Sequence, residues 1–197
     1  MPKVLAKFAA SNPGVAVDMI HAPPCQLVPQ LKDGKLDLIL CEAGHEPRDW
    51  PAIELWRAPL TWITSTEHAP HALDPLPLSL SPGNCPWRPP WLADCVWRGA
   101  ALRALQRAGR RYHVVSTSTT VSGQRAAVHA GLAVTVSTIA DLPLGLRPVT
   151  PEEGLPRIGD TSVLLLKARS PRQPVTDILA EHIIDSFAST MNEACGV

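Results

Sequence analysis

The chain has 197 residues, 45% of them hydrophobic, with 18 basic and 18 acidic side chains and a formal net charge of zero. This is enough for one domain or two small lobes with a sizeable core, and it excludes a disordered polymer. Zero net charge leaves no basic surplus for gripping nucleic acid or an anionic membrane, and no apolar run reaches the roughly 18 residues that span a bilayer.

In chain order, residues 3–11 carry Val4, Leu5 and Phe8 at helical spacing, and Asn12-Pro13-Gly14 stops them. Val15, Val17 and Met19 alternate with Ala16 and Asp18, which predicts a strand. A rigid loop, His21 to Cys25, precedes a short helix over 26–33, with Pro29 tolerable near its first turn and Gly34 as its stop. Leu36–Leu40 is apolar on both faces apart from Asp37, the pattern of a central parallel strand. Leu55-Trp56 and Leu60–Thr64 read as two further short strands, and the polar segment 65–75 as a lobe boundary.

Leu76–Leu80 opens a second half, followed by the turn cluster Ser81 to Cys85. A helix over 90–108, a strand over Tyr112–Ser116 and a helix over 120–130 come next. The hydroxyl-rich run Ser116 to Thr120 supplies caps for the last of these. Leu132–Val136 and Thr161–Leu166 are strands, with a short crossover strand at Leu146–Val149. Residues 174–190 place Val175, Ile178, Leu179, His182, Ile183 and Phe187 on one helical face. Strands alternate with helices in both halves, so the class is α/β. Ligands in such sheets sit beyond the strand carboxyl ends, here the loops at 21–25, 64–66, 81–88, 116–120 and 136–139.

Chemistry-bearing motifs are sparse. Cys25, Cys41, Cys85, Cys95 and Cys195 show no C-x-x-C spacing and read as reduced thiols, mostly packing. His68 and His71, with Glu67 or Asp74, can be drawn as a metal pair, but a solvated loop is the simpler reading, and neither metal nor cofactor is expected. No nucleophile elbow, zinc-protease motif or phosphate loop occurs, so no catalysis is expected. Thr117, Ser118 and their neighbours either cap a helix or donate to a bound carboxylate at its amino end. Thr64 and Ser65 end a strand and are candidate ligand contacts. Trp87, Trp91 and Trp97 are dense and read as packing for the helix at 90–108.

Five pieces together resemble the effector-binding domain of LysR-type transcriptional regulators: Leu5 to Val15; Leu27 to Leu40 with Asp33-Gly34-Lys35-Leu36-Asp37-Leu38; Leu60-Thr61-Trp62-Ile63; Val128 to Val134; and the closing Leu164-Leu165-Leu166 strand with its helix. Cys25, Cys85 with Trp87-Arg88, and Ala130-Gly131 resemble the subgroup of motility and virulence regulators. The resemblance implies two Rossmann-like lobes with a central cleft, a type 2 periplasmic-binding-protein-like fold, with lobe one over 1–68 and 159–197 and lobe two over 69–158. It implies a small-molecule effector in the cleft, touched by Cys25, Thr64, Ser65, Ser81, Asn84, Arg88, Thr117, Ser118, Thr135 and Ser137. Cys25 can contact ligand, sense oxidants or simply pack. Arg88 can pair an anion or lie on the surface. A cytoplasmic antiparallel homodimer is implied, with helix 3–11 of one subunit beside helix 120–130 of the other. DNA would be reached only through a helix-turn-helix that this sequence does not contain. The family's first effector-domain strand also falls before Met1 and would leave a gap in the first sheet: either the sequence is cut short or its start misplaced, or the first lobe is rearranged, or a neighbouring chain fills the gap. A truncated regulator forming mixed dimers and a solute-binding protein of the same architecture are the alternatives.

Overall fold

A computed structural model of the chain describes residues 2–83, 95–139, 142–169 and 174–194. They form two compact units, one of residues 1–57 with 162–197, the other of residues 58–161.

The first unit opens with α1 (Pro2–Ser11) and α2 (Pro24–Lys32). It continues with β1 (Leu38–Glu42) and the start of β2 (Ala52–Ser65), and ends with β7 (Gly159–Lys167) and α5 (Pro174–Ala194). β7 lies between β1 and β2 in the sheet, and β1 pairs it antiparallel from Leu38 against Lys167 to Glu42 against Val163. The expected central, parallel strand is therefore an antiparallel strand at the end of the strand order. An apolar run reports burial on two faces but carries no information on direction. α1 and α5 pack together, and Val4, Leu55, Leu165, Ala180 and Ile183 form the core beneath them.

Two further expectations in this unit are corrected. Val15–Met19 forms no strand; residues 15–23 carry no regular structure, and Val17, Met19 and Ile20 are exposed. Alternation alone does not make a strand, because a strand exists only through the ladder it shares with a partner. Pro29 lies inside α2, past its first turn, because the helix starts at Pro24. The prolines fit at the entry, where an N–H has no intrahelical partner, but Pro29 leaves the Cys25 carbonyl without its helical donor.

The second unit contains the rest of β2, then β3 (Leu76–Leu80), α3 (Val96–Arg107), β4 (Tyr112–Thr117), α4 (Val121–His129), β5 (Thr135–Ser137) and β6 (Leu146–Pro148). The two short strands expected around residue 60 are one strand of 14 residues, with Pro59 exposed inside it. β3 and β4 pair parallel, Leu76 against Tyr112 through Leu80 against Thr117. A parallel bridge joins Leu78 to Val134, just ahead of β5. β2 runs antiparallel to both β5 and β6, with Thr61 opposite Ser137 and Ser65 opposite Leu146. Leu76, Leu78 and Leu80 point to one face and form a core with Ala101 and Leu105 of α3. By alternation, Pro77, Ser79 and Ser81 face the opposite side, where α4 packs. Trp97 packs against the α3 core and donates from Nε1 to Thr161 Oγ1 at 2.8 Å. Trp87 and Trp91 lie outside the described residues.

Candidate functional site: the carboxyl end of the second unit's strands

β3, β4 and β5 run in the same direction, so their carboxyl ends meet at one end of the unit. There the structure gathers Ser81, Thr117, Ser118, Thr135 and Ser137. The Ser118 N–H donates to the Leu80 carbonyl at 3.1 Å, which sets the 116–120 loop beside the exit of β3. Thr120 caps α4, its Oγ1 accepting from the Gly123 N–H at 3.2 Å. Ser118 Oγ sits so close over Gly123 that a Cβ there would meet it at 2.2 Å. Any larger residue here would force the Ser118 side chain to move, which links the hydroxyl loop to the first turn of the helix.

Beneath that turn lies a polar layer. Gln124 donates from Nε2 to the Ser118 carbonyl at 3.0 Å and accepts from Thr135 Oγ1 at 3.2 Å. Thr135 Oγ1 also lies 2.7 Å from the Ser79 carbonyl. Arg125 donates from Nη2 to Ser137 Oγ at 3.4 Å, and Arg98 donates from Nη1 to the Ser81 carbonyl at 2.9 Å. Ser79 Oγ and Ser81 Oγ are buried and find no hydrogen-bond partner among the described residues. Ser79, Arg98, Gln124 and Arg125 were not among the residues expected from sequence. Their signal is indirect: Ser79 precedes Ser81 by one strand repeat, and Gln124 and Arg125 follow the Thr120 cap by one turn.

Thr64 and Ser65 fall at the other end of the unit, because β2 runs against β5. Thr64 is fully buried, and its hydroxyl meets His71 Nδ1 at 3.2 Å. His71 Nε2 lies 2.8 Å from Glu153 Oε1, and Arg147 grips both Glu153 oxygens at 2.7 and 2.8 Å. The Thr150 N–H donates to the same carboxylate at 2.7 Å. The Arg147 hydrogen bonds, then the Thr150 N–H and the His71 and Arg147 charges, pull the Glu153 carboxyl down to about 2. Thr64, His71 and Glu153 have the order of a catalytic triad, but the hydroxyl is sealed from any substrate. Ser65 Oγ accepts from the Glu67 N–H at 3.1 Å and lies 3.4 Å from His68 Nδ1. The histidines are thus engaged with hydroxyls and a carboxylate, and among the described residues no group of three or more potential metal ligands gathers.

Asn84 and Arg88 lie outside the described residues. Cys25 is buried and disulfide-bonded, which corrects its reading as a reduced thiol; its partner lies outside the described residues, since Cys41 and Cys95 are free. Pairs distant in sequence leave no spacing signature, so the bond is invisible in the chain alone. Burial, then the charges of Glu42 and Glu46, push the Cys41 thiol up to about 12 and make it unreactive.

The second unit gathers its donors at one strand end, and comparison with known proteins gives the family of the chain. The chain belongs to the LysR substrate binding domain family, whose sequence profile matches residues 1–187. It is 30% identical over 183 residues to the HTH-type transcriptional regulator DgdR of Burkholderia cepacia, covering 93% of this chain and 58% of that protein. It is 26% identical to PecT of Dickeya dadantii (strain 3937) over 85% of this chain and 49% of that one. The chain therefore spans about half the length of these relatives. Among solved structures, the C-terminal domain of a probable LysR family regulator from Rhodococcus sp. RHA1 matches with a TM-score of 0.67 at 19% identity, over 93% of this chain and 91% of that one. The effector binding domain of QuiR in complex with shikimate matches at 0.69 and 12%, over 95% and 90%. The Synechocystis PCC6803 CcmR regulatory domain in complex with 2-PG matches at 0.67 and 14%, over 94% and 90%. The fold is the type 2 periplasmic-binding-protein-like α/β fold of these effector-binding domains.

Proposed function

We propose that this chain is the effector-sensing part of a LysR-type transcriptional regulator, that it takes a small molecule at the carboxyl end of the second unit's strands, and that it catalyses no reaction. One observation carries the reading. Hydroxyls, guanidinium groups and the amino end of α4 collect at the end of the second unit where Thr61 of β2 and Thr161 of β7 lie, next to the points at which the chain passes to the other unit. A ligand held there stands beside both connections, and it biases the arrangement of the two units to the extent that it binds one arrangement better. The regulator works as a cytoplasmic homodimer, with α1 of one copy beside α4 of the other, and a DNA-binding segment outside this chain reads out the change. No helix among the described residues is long and apolar enough to cross a membrane.

Calorimetry tests the reading, with shikimate, 2-PG and a panel of organic acids and their neutral analogues titrated into the purified chain. At least one compound binds saturably, and Ser118→Ala weakens it by about tenfold, the cost of a lost charge-assisted hydrogen bond. A panel that yields no binding, or binding untouched by Ser118→Ala, removes the reading or the site respectively.

A further inference from the structure

We propose that Gln124 is the positioning residue of this site: its buried amide, donating to the Ser118 carbonyl, holds the 116–120 loop in the shape that offers its hydroxyls to a ligand. The proposal rests on the effector-sensing reading and names the side chain that shapes its site.

Burial is the first argument. Gln124 and Val128 stand one turn apart on α4, and both are buried. Position 128 is filled as packing demands, by an apolar side chain. Position 124 holds an amide instead, and an amide withdrawn from water is costly unless its hydrogen bonds are remade. A leucine there would pack as Val128 does, so the glutamine acts through its bonds rather than its volume.

The bonds themselves are the second argument. The Ser118 carbonyl can only accept, so Nε2 faces it at 3.0 Å and Oε1 faces the Thr135 hydroxyl at 3.2 Å. Thr135 has one hydroxyl hydrogen, and the Ser79 carbonyl at 2.7 Å is the nearer of its two acceptors. The stronger bond of Gln124 is therefore the one to the loop. The Ser118 N–H already donates to the Leu80 carbonyl, so both backbone polar groups of Ser118 are held, one by β3 and one by α4. Ser118 Oγ in turn accepts from the Thr120 N–H at 3.2 Å. The loop is pinned at its middle residue, while Thr117 and Thr119 on either side stay exposed.

Amide hydrogen exchange of the unliganded chain and calorimetry with shikimate, 2-PG and the panel compounds test the proposal, and only the second needs a ligand. Gln124→Glu keeps the shape and an acceptor for Thr135 but loses the donor. Gln124→Leu loses both, and Val128→Ala weakens the same face of α4 without touching the loop; circular dichroism confirms that each variant folds. Both Gln124 variants are expected to speed exchange at Ser118 and Thr120 by about tenfold and to weaken the bound compounds by about tenfold, the effect of one lost hydrogen bond. Val128→Ala lowers the melting temperature and binds as the wild type does. Measured against the wild type at each pH, loop protection returns in Gln124→Glu as its buried carboxyl takes up a proton and becomes a donor again. It stays lost in Gln124→Leu, a difference that a purely structural role does not produce. Unchanged loop exchange in both Gln124 variants, no recovery of Gln124→Glu in acid, affinity untouched by a loosened loop, or an equal loss of affinity in Val128→Ala overturns the proposal and leaves effector sensing standing. The expected loop response, with no compound bound by the wild type, upholds the hold of Gln124 on the loop and removes effector sensing. If the loop does not respond and no compound binds, both fall.

Discussion

Glu153 shows how much of the second unit hangs on one side chain. Its carboxylate takes both arms of Arg147, the His71 ring and the Thr150 N–H, and His71 in turn meets Thr64 on β2. Through Nε2 the His71 ring meets Glu153 and through Nδ1 the Thr64 hydroxyl, so one carboxylate orders the whole chain of bonds. The folded carboxyl, held at about 2 against an ordinary 4.5, lies below its unfolded value. Its stabilisation is complete above the unfolded value and disappears as pH falls through the folded one. Glu153→Gln therefore flattens the acid limb of stability between these pH values, and at neutral pH it costs about 1–2 kcal/mol. Urea midpoints measured across that range check both. At this scale the sequence is partly legible. Ser81, Thr117, Ser118 and Ser137 lie at strand carboxyl ends, where the order of elements in the sequence puts them. Thr64 and Ser65 carry the same signature but lie at the opposite end, since strand direction is decided by partners far along the chain.

Among the elements, α2 is the one whose sequence opposes its structure. Pro29 occupies an interior position and withholds a hydrogen bond from Cys25. Pro29→Ala restores the donor, and the gain exceeds the extra freedom given to the unfolded chain, so stability rises by about 1–2 kcal/mol, read as an increase in melting temperature. The helices were legible where local chemistry fixes them: the Thr120 cap starts α4, and the three-and-four spacing of Val175 to Phe187 marks α5. The strands were less so. Pro59 suggests a break in what is a continuous β2, yet the proline sits exposed inside the strand. Val15 to Met19 shows the converse, a strand pattern without a described partner.

For the molecule as a whole, the two units keep separate cores, one around Leu165 and one around Leu105. Each leucine is buried, and truncation to alanine costs about 2–5 kcal/mol. Local opening follows the unit that is weakened. Leu105→Ala accelerates amide exchange chiefly in β3, β4 and α3, and Leu165→Ala chiefly in β1, β7 and α5. Exchange that rises evenly over the whole chain in either variant contradicts independent cores. Alternation of strands and helices made the α/β class legible, while the antiparallel course of β1 was not, because it depends on the return of β7 after more than a hundred intervening residues.

The uninterrupted course of β2 imposes a parity rule on the gene. The strand serves one unit up to Arg57 and the other from Ala58 onward, and its side chains alternate faces without a loop to absorb an error. Losing or gaining one codon at that junction turns every inward residue of one half outward, whereas a change of two leaves both faces in phase. Any hybrid that joins halves from different relatives at this point must therefore respect the same count.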